Sequence, residues 1–65
     1  GLDLVRILIR DAPQILKPGG WMALEVDPQQ CATVAELLKA QGFADIHIHP
    51  DLNRTDRVVA GILRS

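Results

Sequence analysis

The sequence predicts an α/β chain in the order α-β-α-β-β, closed around a three-stranded mixed sheet whose last strand is antiparallel and central. Three observations predict it. Two stretches carry apolar residues at helical spacing, and each is closed by glycine. Between them Trp21–Val26 is an almost unbroken apolar run bounded by turn residues, the pattern of a strand buried on both faces. After the second helix come two further strands, and the loop between them is short enough for an antiparallel hairpin.

The first helix is expected over residues 3–16. Leu4, Leu8, Ala12 and Ile15 recur on one face, widened by Val5, Ile9 and Leu16. Asp3 is a candidate N-cap, because its carboxylate can accept an orphan amide of the first turn. Pro13 lacks an N–H and its ring crowds the carbonyl four residues back, so a kink or break is expected over residues 9–12. Lys17-Pro18-Gly19-Gly20 then ends the helix.

For the second helix Asp27 is the candidate N-cap, Pro28 stands at the first helical position and Gly42 just past the end. Cys31, Val34, Ala35 and Leu38 form its apolar stripe, Glu36 and Lys39 face water, and Phe43 can fold back on the last turn. Residues 45–49 alternate, with Ile46 and Ile48 on one face and His47 and His49 on the other: a half-buried strand. Arg57–Leu63 is apolar on both faces, so it is expected between the other two strands. That arrangement leaves the other edge of Trp21–Val26 apolar and unpaired. Such an edge invites more sheet, or self-association through that strand.

Bulk properties narrow the function classes. A 65-residue chain buries only about 60% of its unfolded surface, and such a core supplies roughly 3–5 kcal/mol. Its 48% apolar and 23% charged residues nevertheless describe a globular chain. The net charge of −1 provides neither the basic stripe of a nucleic-acid binder nor a polybasic membrane patch. One cysteine cannot form an internal disulfide, which fits a reducing, cytoplasmic setting. No apolar run approaches a membrane span. Beginning at Gly1 rather than Met, the chain is expected to be excised from something longer.

Four stretches carry a resemblance to a known family: Gly1-Leu2-Asp3 with Arg6; Leu16-Lys17-Pro18-Gly19-Gly20-Trp21; Leu24-Glu25 with Gln30 and Val34; and Asp51-Leu52 with Asp56-Arg57-Val58-Val59. Together they resemble the C-terminal half of class I, Rossmann-like S-adenosylmethionine-dependent methyltransferases. More narrowly they resemble the HemK-type protein-(glutamine-N5) methyltransferases, which methylate a glutamine of peptide chain release factors. Lys-Pro-Gly-Gly is widespread among methyltransferases; the Asp-Leu and Asp-Arg-Val-Val tail narrows the match. The chain departs from the family at Val26-Asp27-Pro28, where an Ile-Gly-aromatic stretch is usual.

The resemblance implies that residues 1–65 are the C-terminal part of one incomplete methyltransferase domain, inactive alone. It also implies that the family's Gly-rich cofactor loop, ribose-binding acid and Asn-Pro-Pro-Tyr motif lie elsewhere in the parent. S-adenosylmethionine would therefore be bound by the missing N-terminal half, and the release factor would be the intact parent's partner. Gly19-Gly20 joins a helix to a strand, so it lacks the strand-to-helix setting of a ligand-cradling loop. Ligands of open α/β sheets sit at the carboxyl ends of strands, which makes Glu25 and Asp27 candidates for an active-site wall.

Each candidate has a plainer alternative. Glu25 could orient a substrate amide or simply be satisfied by a neighbouring amide, and Asp27 could be a helix cap alone. His47 and His49 could share a metal, but no cysteine or carboxylate is assigned to complete the set, so an exposed polar face is the simpler reading. Cys31 reads as a small core hydrophobe, Trp21 as core or edge cover, and Asp56 with Arg57 as a pair pinning the hairpin. No residue is assigned as catalytic, cofactor-binding or metal-ligating. Two other functions are compatible with the chain: a methyltransferase acting on a ribosomal-protein glutamine or a nucleic-acid amino group, and a stand-alone self-associating module.

Overall fold

The computed structural model describes residues 2–50 and 57–64. Helix α1 spans Leu2–Ile15 and strand β1 Trp21–Val26; a 3-10 turn, Pro28–Gln30, leads into α2, Cys31–Ala40. Strands β2, Phe43–Pro50, and β3, Arg57–Leu63, complete the order.

The sheet order is β1-β3-β2, so the last strand lies in the centre as its two apolar faces require. The sheet is antiparallel throughout rather than mixed, since both outer strands pair antiparallel with β3. β1 and β2 share a direction, but β3 stands between them and no parallel pair forms among the described residues.

One core holds the layers together. Ile9 and Ala12 of α1 meet Cys31, Val34 and Leu38 of α2 over Val26, Phe43, Val59 and Leu63 of the sheet. These sheet residues fall on one face, so the helices cover that face only. β1 is accordingly half-buried instead of buried on both sides: Met22, Leu24 and Val26 turn inward while Trp21, Ala23 and Glu25 are exposed. The apolar run was the wrong guide here because the layer that would cover the second face is not among the described residues.

Helix α1 departs from expectation three times. It begins at Leu2, which places Asp3 inside the first turn, where its charge favours the helix dipole without capping it. It runs unbroken through Pro13, and Leu16 N–H still reaches the Ala12 carbonyl at 2.9 Å. The proline lies in the last turn, so its missing N–H removes a bond only at the helix end. Finally, the inward stripe is Leu2, Val5, Ile9, Ala12 and Leu16. Leu4, Leu8 and Ile15, read from spacing as inward, are 65%, 44% and 81% exposed. The apolar arc of this helix is wide, with Asp3, Arg6, Arg10 and Gln14 opposite it, and periodicity alone does not choose which part of the arc is covered.

The second helix is entered through Asp27-Pro28 as expected, but by a 3-10 turn, and its α-helical part begins only at Cys31. Asp27 stands extended at the cap position (φ −60°, ψ 146°), Pro28 opens the 3-10 turn, and the Asp27 N–H donates to Gln30 Oε1 at 3.3 Å. At the other end Gly42, at φ +95°, donates its N–H to the Lys39 carbonyl at 3.1 Å. That left-handed residue turns the chain into β2 and delivers Phe43 to the core, 4% exposed.

β2 starts two residues earlier than its alternation suggests and contains a bulge. Ala44 faces Ile62 and His47 faces Ala60, so Asp45 and Ile46 together oppose Gly61. Asp45 takes the left-handed conformation (φ +52°), tolerated by aspartate better than by most residues, and its carboxylate pairs with Arg64. Gly61 leaves room for the bulge, because a Cβ there would lie 3.1 Å from Ile46 Cγ1 and 3.3 Å from Phe43 Cβ. Gly61→Ala is therefore expected to cost about 1–3 kcal/mol by overpacking, read as a lowered urea midpoint. An unchanged midpoint would mean that the bulge gives way freely. The readings placed on Asp51, Leu52 and Asp56 lie outside the described residues.

Candidate functional site

The carboxyl end of β1 is where an open sheet would present a ligand crevice, and the structure places both candidate wall residues there. Glu25 is exposed on the helix-free face, opposite Val58 of β3. Asp27 lies just beyond the strand as the exposed cap of the 3-10 turn. Its backbone carbonyl also accepts from the Cys31 thiol at 3.7 Å, and Cys31 is buried in the core as expected. Beyond β3 on the same face lies His49, which also faces Val58. Glu25 and His49 therefore stand in one row, two strand spacings or about 10 Å apart.

His47 and His49 project together from β2, with ring centres 5.9 Å apart and planes inclined at 29°. Among the described residues no three side chains of metal-ligating type come together.

The glycine turn is tied into the sheet. Gly19, at φ +89°, donates its N–H to the Leu63 carbonyl at 2.7 Å, and the Leu63 N–H donates to the Gly20 carbonyl at 2.7 Å. Gly20 N–H reaches Lys17 at 2.8 Å. With these amides spent on the fold, the turn fastens α1 and β1 to the end of β3 and does not cradle an anion.

One feature escaped the sequence reading. A hollow of about 210 Å³ opens between α1 and β1, lined by Leu8, Ala12, Ile15, Leu16, Trp21 and Met22. Trp21 is 68% exposed on its rim, so it does not fill the core. The surplus of apolar positions around α1 was the available signal. The side chains lining the hollow are apolar but for the indole N–H of Trp21.

Three relatives bear on this arrangement. The chain is 41% identical over 61 residues to the release factor glutamine methyltransferase of Geobacter sulfurreducens, covering 94% of this chain. It is 43% identical over 63 residues to that of Cereibacter sphaeroides, and 48% identical over 61 residues to that of a Synechocystis species, covering 97% and 92% of this chain. Over nearly its whole length the chain is similar to one segment of release factor glutamine methyltransferases. It spans about a fifth of the length of these relatives, 22%, 23% and 20% respectively. No family model matches it, and neither does any solved structure.

The hollow lies at the start of β1, by Trp21 and Met22, whereas Glu25 and Asp27 stand at its opposite end. No helix among the described residues is long and apolar enough to cross a membrane.

Proposed function

We propose that these 65 residues form the C-terminal part of a single methyltransferase domain. The intact parent would transfer a methyl group from S-adenosylmethionine to a glutamine side-chain amide of a peptide chain release factor. The observation that carries this reading is the 41–48% identity to release factor glutamine methyltransferases over almost the whole chain.

Within that reading the segment supplies structure. Methyl transfer requires the amide nitrogen to be held in line with the donated methyl, and such positioning depends on rigid support. The β1-β3-β2 sheet, fastened through Gly19, Gly20 and Leu63, supplies a stiff floor. Glu25 and Asp27, at its carboxyl end, form one wall of the crevice, while cofactor and glutamine are held by residues of the parent outside this chain. The remainder of the parent covers the β1 edge and the α1 hollow. In the isolated chain a second copy takes that place at the edge.

The test uses the parent enzyme containing this segment, purified and mixed with methyl-labelled S-adenosylmethionine and release factor. Label is expected on one glutamine of the release factor. Label on nucleic acid or a ribosomal protein, with none on release factor, would overturn the substrate. Calorimetry on the 65-residue chain is expected to show no S-adenosylmethionine binding, and clear binding would refute the placement of the cofactor elsewhere.

A further inference from the structure

We propose that His47 and His49 form a two-histidine chelating site for a divalent transition-metal ion of the copper, nickel or zinc group. Strand periodicity puts residues two apart on one face, and both imidazoles are exposed there with ring centres 5.9 Å apart. The rings are stacked, their planes 29° apart, so these exposed side chains turn about their χ angles for a nitrogen of each to meet one ion at about 2.0–2.1 Å. Imidazole nitrogen suits this group of metals, with copper(II) bound most tightly.

The backbone beneath the pair favours it. The bulge at Asp45 and Ile46 ends just before His47, so residues 47–50 run in unbroken register against β3 and the two side chains rise side by side. Their partners across the ladder are Ala60 and Val58, which bring no competing hydrogen-bonding side chain. β2 is an edge strand, so an ion can approach from solvent with its water ligands in place. Among the described residues no third ligand-type side chain joins the pair. The site therefore supplies two positions of the coordination sphere and water supplies the rest. This is the open arrangement of a surface chelate, unlike a closed structural site.

The chain is well suited to a clean test. His47 and His49 are its only histidines, and its single cysteine, Cys31, is buried. The untagged 65-residue chain would be titrated with nickel(II) while the imidazole carbon-bound proton signals are followed by NMR. Both histidine signals are expected to broaden together, with one ion bound per chain. His47→Gln and His49→Gln should each weaken binding by more than the about 10–100-fold typical of losing a mere outer-shell partner. Both positions are exposed, so an unchanged amide spectrum will show that each variant still folds. Two results would overturn the site: no broadening at millimolar nickel, or single variants that bind as tightly as the parent sequence.

Discussion

Leu38→Ala should leave the 65-residue chain largely unfolded at room temperature. Leu38 is fully buried on α2, in one cluster with Val34, Phe43, Val59 and Leu63. Truncating such a leucine typically costs about 2–5 kcal/mol, the spread depending on how far the cavity collapses. A core of this size supplies only roughly 3–5 kcal/mol in total, so the substitution removes most of the margin. Far-UV circular dichroism with a urea titration would read the loss. Ile15→Ala is the matched control, since Ile15 is 81% exposed and a surface change should stay within about 0.5 kcal/mol. If the two variants lose stability equally, the assignment of the inward and outward faces is wrong.

The second large effect concerns the open edge of β1. Sheets blunt their edges with bulges, prolines and lysines, and the two edges here differ. β2 carries the Asp45–Ile46 bulge, two histidines and Pro50. β1 pairs in continuous register from Trp21 to Val26, with no bulge or proline and Glu25 as its one charged residue. The isolated chain is therefore expected to self-associate through β1, its sedimentation coefficient rising with concentration to at least that of a dimer. Ala23→Lys should return it to a monomer while preserving the fold, because Ala23 is exposed and a lysine on a flat edge opposes pairing. A wild-type chain that stays monomeric at high concentration would rule out edge pairing. Association undiminished in the variant would move the interface elsewhere, the Leu8–Ile15–Trp21 hollow being the next surface to probe.

Much of the candidate site was legible in advance because it is built from local signals. Asp27-Pro28 marks a helix start by the sterics of proline, and both stand at the entry to the 3-10 turn, where the Asp27 N–H is held by the Gln30 side chain. Gly42 marks the helix end because it can occupy the left-handed region at little cost. The Gly19-Gly20 turn was read as a helix-to-strand connection, and its amides are bonded within the fold, although the bonds to Leu63 could not be foreseen. The Asp45 bulge was missed, since strict alternation over five residues looked sufficient without it.

The order of elements, the Asp27-Pro28 entry and Gly42 exit of α2, and the central place of β3 were determined by the sequence itself, because each depends on backbone sterics or on a strand's own two faces. Which part of α1's wide apolar arc turns inward was decided only by tertiary structure. Leu4, Leu8 and Ile15 are as apolar as the residues that are buried, and only the docking of α2 selects Val5, Ile9 and Ala12 instead. The same holds for β1, whose apolar run would suit burial on both faces while helices cover just one. Hydrophobicity records what a side chain can bury; the partner that arrives decides what it does bury.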